Sequence, residues 1–364
     1  MKGLYFHIPF CLSKCGYCSF YSFSPREKQK DDYLSSLLSH IDEWGGKEKL
    51  SFNSIYFGGG TPSVFGGERI FAVLQKVRET FDVSSDCEIT VEVNPSSASE
   101  DLFAFLQKSG VNRVSMGVQS AVEKERRTIG RLSDKAQVEK ALSLCRKYGI
   151  ENVSLDLMLG LPFQTPESLE ESLEFILDCG CKHISTYMLK LEEGTALYDK
   201  QSQLPFPDED EVCRLYLKTC EALKQNGFEH YEISNFALPG FQSVHNNKYW
   251  LCEEYLGIGP SAHSFLGGKR FYYENDFSAF LKGSPPVSDG DGGDEEEFVM
   301  LALRLSRGLV FREYEQRFKK KYPDEKLKKA VQLSRHGLVT LGKDSMSLTE
   351  NGFLLSNSII AELA

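Results

Sequence analysis

No run of apolar residues in the 364-residue chain reaches the ~20 needed to cross a bilayer as a helix, so a transmembrane segment is not expected. A secretory leader is not expected either. Lys2 is followed by too short an apolar run, and no small-residue cleavage site precedes Cys11. Basic charge is in deficit: the formal net charge is -10, which argues against nucleic acid as a main partner. No internal repeat is found. With 41% hydrophobic and 26% charged residues, these absences leave an ordinary globular chain, long enough for one large core plus a smaller unit or for two domains. Its expected location is the cytoplasm, and any membrane contact would be transient docking at the surface.

What the chain does have is cysteine, ten residues in all. A cytosolic protein keeps these reduced. Seven of them (Cys87, Cys145, Cys179, Cys181, Cys213, Cys220 and Cys252) are scattered through amphipathic segments and read as small buried hydrophobes. The other three, Cys11, Cys15 and Cys18, crowd into "HIPFCLSKCGYCSF" (7–20) with the spacing C-x3-C-x2-C. Structural zinc would want a second pair of Cys or His ligands, and none stands out downstream. Dithiol redox chemistry would need only two of the thiols. An iron–sulfur cluster takes thiolates from a compact loop, and three thiolates on a four-iron cube leave one iron open to an outside molecule.

From residue 2 to about 190, strand-like segments (3–8, 54–58, 88–93, 113–118, 153–159 and 183–189) alternate with helix-like ones near 30–45, 67–80, 99–109, 134–148 and 166–179. Ser133 is the expected cap of the fourth helix and Gly149 its stop. Six βα units in succession imply a parallel sheet, either doubly wound or closed into a full or partial barrel, with chemistry at the carboxyl ends of the strands. After about 200 the rhythm changes. A helix is expected at 208–226, a strand at 229–234, and a Pro/Gly/acid-rich linker within "GSPPVSDGDGGDEEE". The tail reads as three helices, a hairpin at 338–349 and a last helix, an order that suits a winged-helix-like unit. The expected domains are 1–200, 201–283 and 294–364, with 284–293 as the linker. A locally basic run at 312–336 reads as a solvated helical face.

C-x3-C-x2-C directly after a first strand resembles the signature of radical S-adenosylmethionine (SAM) proteins. The resemblance implies a partial (β/α)6 barrel, followed here by an α+β C-terminal region. It also implies a [4Fe-4S] cluster on Cys11, Cys15 and Cys18, with SAM chelating the open iron, where one electron can split the sulfonium to a 5′-deoxyadenosyl radical. The hard chemistry would belong to the cofactors.

The wider stretch "YFHIPFCLSKCGYCSF" is similar to the oxygen-independent coproporphyrinogen III oxidase family. That likeness aims Tyr5 and Tyr17 at SAM, gives His7 a polar role near the cluster, and lets Pro9 stiffen the loop entry. Further motifs follow in the family's order: "FGGGTPS" with Gly59, Gly60 and Thr61, "VEVNP" with Glu92, "SMGVQS" with Gln119, "IGRLS" with Arg131, and "SLDLMLGLPFQT" with Asp156. All of these are implied SAM contacts. Glycines allow close backbone approach, and a carboxylate suits an ammonium group or ribose hydroxyls.

The chain departs from the true oxidases in one loop position and at its start. Phe20 stands where they carry a further cysteine, and only four residues precede Tyr5, where they carry a longer extension. Both differences match the family's HemW-like subgroup of haem chaperones. "HNNKYW" (245–250) agrees with that subgroup's H-N-x-x-Y-W stretch and implies haem contact at His245, with His263 as an alternative. The expected activity is haem carriage to acceptor proteins, with an electron donor as a further partner and no catalytic residue assigned. The alternative is SAM-dependent oxidative decarboxylation of coproporphyrinogen III. "GIGPSAHS" (257–264) is expected to close over the site as backbone.

Overall fold

Alternation along the first six strands sets the architecture. The structure, a computed structural model, describes residues 1–364. On β1 (Lys2–Ile8), Leu4, Phe6 and Ile8 enter the apolar core, whereas Gly3, Tyr5 and His7 take the other face. β2 (Ser51–Gly59) sets Ile55 and Phe57 against Ser54 and Tyr56, and β3 (Asp82–Glu92) sets Ile89 and Val91 against Glu88, Thr90 and Glu92. β4 (Arg113–Gln119), β5 (Asn152–Leu159) and β6 (His183–Met188) repeat the pattern with Arg113, Ser115, Ser154, Asp156, His183 and Ser185 on the second face. Side chains alternate along a strand, so one face packs under helices and the other lines an interior. Here that interior is polar. The outer face is covered by helices Glu27–Lys47, Gly67–Thr80, Glu100–Lys108, Lys135–Lys147 and Pro166–Asp178. Their buried side chains, among them Leu37, Val73, Leu106, Ala141 and Leu173, join Phe6 and Phe57 in one core.

β1 to β6 are parallel and adjacent in chain order, without the reversal of a doubly wound sheet. The sheet does not close. Beyond β6 lie antiparallel β8 (Asn235–Ala237) and then β7 (Glu229–Glu232). Beyond β1 lie parallel β9 (Tyr255–Ile258) and antiparallel β10 (His263–Leu266), β11 (Lys269–Tyr272) and β12 (Val287–Asp291). The result is a partial barrel within a twelve-stranded sheet. The segment expected to close over the site therefore extends the sheet beside β1, with exposed His263 stacked on Tyr272. The stretch 284–293, expected as a linker, carries the exposed edge strand β12.

Asp134, not Ser133, caps the fourth helix. Its side chain accepts from Gln137 N, and the Gln137 side chain accepts in return from Asp134 N, completing a capping box that Ser133 cannot form. The C-terminal part packs helices Glu295–Ala302, Phe311–Phe318 and Asp324–Arg335 with a small sheet of β13 (Leu309–Val310), β14 (Val339–Leu341) and β15 (Ser345–Leu348). β14 and β15 are the expected hairpin. Two short helices end the chain. No helix is long and apolar enough to cross a membrane.

Candidate cluster and SAM site

A cavity of about 400 Å³ opens at the carboxyl ends of the barrel strands. Its loop wall follows β1. Two backbone hydrogen bonds, Cys11 N to Phe23 O (3.0 Å) and Phe23 N to Pro9 O (2.9 Å), tie the base of the cysteine loop. Gly16 N donates to Ile129 O (2.9 Å), and Leu197 N donates to Gly16 O (2.8 Å), clamping the loop's middle. Cys11, Cys15 and Cys18 are all free thiols, half-buried, and all three line the cavity. Burial raises the Cys18 thiol, and the nearby Cys15 and Cys11 push it the same way.

The glycine segment approaches this loop backbone to backbone. Gly60 N donates to Ile8 O (2.8 Å) and Thr61 N to Phe10 O (2.7 Å). A Cβ on Gly60 would lie 2.8 Å from both of those carbonyl oxygens, so no larger residue fits. Gly59 has φ +106°, and a Cβ there would strike the His7 ring at 2.6 Å. The Thr61 hydroxyl sits 3.4 Å from Cys11 Sγ.

The strand ends complete the wall. A register shift between Gly117 and Gln119, with Gln119 at φ +72°, marks a bulge that turns Gln119 toward the cavity. Arg131 donates through Nη2 to Gly117 O, while Arg131 Nε and Gln119 Oε1 are buried without a partner. Glu92 accepts from the Tyr56 hydroxyl at 2.9 Å, and Asp156 accepts from Ser115 Oγ at 3.4 Å. Burial pushes the Glu92 carboxyl up to about 7 and the Asp156 carboxyl up to about 6. A cation entering between them would be held without a competing ion pair.

Cys11, Cys15, Cys18, Tyr17, Gly59, Gly60, Thr61, Glu92, Gln119, Arg131 and Asp156 all meet at this cavity. Tyr5 does not line it. Its ring lies one layer lower, 6.2 Å from Tyr56, with its hydroxyl 3.2 Å from His7 Nδ1. His7 is itself saturated, its Nε2 being 3.0 Å from Tyr21 O. Sequence reasoning missed Ser115, Gly117, Met158 and Tyr187, which also line the wall. Period-two counting back from Gln119, and along β5 and β6 from Asp156, would have found them.

His245 lies elsewhere, on the helix Val244–Trp250 against β1, β2 and β3. It is 1% exposed, and both ring nitrogens are engaged, Nδ1 with Ser54 Oγ (3.0 Å) and Nε2 with the Tyr249 hydroxyl (2.8 Å). Burial lowers its pKa to about 3, so the ring is neutral. In this arrangement it offers no free nitrogen to an iron.

The donors suit the two groups. Three thiols on one loop supply an incomplete set for a four-iron cube, and the same space is lined by two acids without a salt bridge and by Gln119 and Arg131, each with a buried polar atom that has no partner. Cys11, Cys15 and Cys18 would hold the cluster, and Glu92, Gln119, Arg131 and Asp156 the polar parts of SAM. When bound, the pair supplies one-electron chemistry at the sulfonium.

Comparison with known proteins identifies the family. Residues 5–176 match the Radical SAM superfamily model, and residues 295–355 match the HemN C-terminal domain. The chain is 34% identical to "Heme chaperone HemW" of Lactococcus lactis, over 98% of this chain and 96% of that protein. It is 31% identical to the Bacillus subtilis protein of the same name, over 99% and 98%. The coproporphyrinogen III oxidase HemN of Escherichia coli shares the fold, with a TM-score of 0.86 over 99% of this chain and 89% of that one at 24% identity. The chain belongs to the radical SAM superfamily and, within its oxygen-independent coproporphyrinogen III oxidase family, to the HemW group.

Proposed function

We propose that the protein is a haem chaperone: it carries haem and passes it to acceptor proteins, with a [4Fe-4S] cluster on Cys11, Cys15 and Cys18 and an exchangeable SAM beside it. The observation that carries this reading is the three-thiol cavity with Phe20, 64% exposed, at its lip in place of a further thiol. Full-length kinship with proteins named heme chaperones supports the haem part. The surface supports it too. Leu12, Phe20, Leu132, Tyr187 and Met188 are exposed on, or next to, residues that line the cavity, an apolar rim suited to the faces of a tetrapyrrole. Haem contact at His245 would require its Tyr249 bond to be exchanged and the Val244–Trp250 helix to move.

The test is anaerobic reconstitution of the full chain, followed by haem titration and then addition of an apo haem protein. Transfer of the haem band to the acceptor is expected. No haem binding, together with protoporphyrin formation from coproporphyrinogen III in the presence of SAM and a reductant, would replace the carrier with the oxidase.

A further inference from the structure

The polar interior beneath the cavity contains an unbroken line of contacts from the HNNKYW helix to the cavity wall. The His245 ring lies on the inner face of the sheet, over the paired positions Gly3 of β1 and Ser54 of β2. A Cβ on Gly3 would come within 3.2 Å of His245 Cε1, and the Tyr56 ring lies 5.2 Å from the His245 ring, tilted by 31°. Tyr56 in turn gives its hydroxyl hydrogen to Glu92 Oε1 at 2.9 Å. Both Tyr56 and Glu92 rest on Gly58, where a Cβ would meet the Tyr56 ring at 2.8 Å and Glu92 Oε1 at 2.9 Å. Three anchors hold the histidine in place: Ser54 on one ring nitrogen, Tyr249 on the other, and the Glu88 carboxylate on its backbone N–H. His245 and Tyr249 are four residues apart, on one helical face, so the helix itself sets their hydrogen bond.

We infer that His245 is a positioning residue for Glu92, acting through Tyr56: its buried ring props Tyr56 so that the hydroxyl reaches the carboxylate at the SAM seat. The inference rests on the reading of the cavity as that seat. Without the ring, Tyr56 can settle into the space left below, and Glu92 keeps only its backbone donor at Gly59. A half-met network is costly in a buried site, so the carboxylate would turn or take up a proton. The histidine and the tyrosine of HNNKYW then serve SAM from below, whatever else the helix does.

The test uses the full chain, reconstituted anaerobically and without haem, so the outcome does not depend on haem binding. SAM affinity is measured by calorimetry, and SAM binding is also followed by the change in the electron paramagnetic resonance signal of the reduced cluster. Tyr56→Phe keeps the ring and removes only the hydroxyl. Both Tyr56→Phe and His245→Ala should weaken SAM about tenfold, and the double variant should be no weaker than either by more than about twofold, because both act on one contact. His245→Gln, which can still bond Ser54 or Tyr249, should recover most of the loss.

Full SAM affinity in Tyr56→Phe, or additive losses in the double variant, would overturn the link. If His245→Ala cannot be reconstituted, Tyr249→Phe takes its place: it frees His245 Nε2 so that the ring can shift, and a SAM loss that does not add to that of Tyr56→Phe is expected, whereas unchanged affinity in Tyr249→Phe overturns the role of the histidine. A wild-type chain that takes up the cluster but not SAM would sink the reading of the cavity itself, a result distinct from normal SAM binding with an indifferent Tyr56→Phe.

Discussion

The Glu88 carboxylate caps the helix that carries His245. Its Oε1 lies 2.9 Å from His245 N, its Oε2 lies 3.0 Å from Val244 N, and Ser243 Oγ is 3.5 Å away. One strand, β3, thus fixes the HNNKYW helix through Glu88 and presents Glu92 to the cavity four residues later, on the same face. A carboxylate at a helix start satisfies N–H groups that the helix leaves unpaired.

Glu88→Ala strands those donors in a buried site. The expected cost is about 1–3 kcal/mol of stability, read from urea denaturation of the full chain. Glu88→Gln keeps an acceptor and should lose less. A variant as stable as the parent would show that the cap contributes nothing.

Cys11→Ala, Cys15→Ala and Cys18→Ala should each abolish the brown absorbance and the bound sulfide after anaerobic reconstitution. Cys213→Ala serves as the control. Cys213 is half-buried on the helix Glu209–Gln225, away from the cavity, and its loss should leave iron and sulfide unchanged. Iron retained in any of the three loop variants would reassign the ligands.

Gly60→Ala asks the backbone to admit a methyl group 2.8 Å from the Ile8 and Phe10 carbonyl oxygens. Backbone atoms cannot step aside as a flexible side chain would. The glycine segment should therefore shift away from β1, carrying Thr61 with it. The expected outcome is a loss of about 1–3 kcal/mol in denaturation experiments together with weaker SAM binding. An unchanged SAM affinity would show that the segment is only a turn.

Much of this arrangement can be read from residues close in the chain. Three cysteines within one loop, and strands and helices in strict alternation, are local patterns, and the helix limits fall within a few residues of those expected. The polar face of the barrel was written there too, in Gly3, Tyr5 and His7 or Ser115, Gly117 and Gln119. The position of His245 was not. Its burial depends on Ser54 and on Glu88, 191 and 157 residues away in sequence, and no periodicity in HNNKYW encodes those distances. Tyr5 shows the same limit in miniature. Its place on β1 is local, but whether that position reaches the cavity or sits one layer below depends on the packing of Tyr56 and His7. The edge strand β12 likewise follows from pairing with β11 rather than from its own Gly- and Asp-rich sequence.

SAM binding should depend on pH through the cavity acids. Burial raises the Glu92 carboxyl from 4.5 to about 7 and the Asp156 carboxyl from 3.8 to about 6. A raised carboxyl is neutral below its pKa, and a neutral acid attracts an ammonium or sulfonium group only weakly. Affinity should therefore be full above pH ~7.5 and fall as the pH drops through 7. The slope should approach about tenfold per unit once Glu92 must lose a proton for SAM to bind, and it should steepen near 6 as Asp156 joins. Bound SAM should pull both values down, so protons are released on binding below pH 7, an amount calorimetry reads from buffers of different ionisation enthalpy. Glu92→Gln should lower affinity at pH 8 and remove the first fall, leaving only the step near 6. A flat profile from pH 6 to 8 in the parent protein would mean that Glu92 does not meet the positive end of SAM.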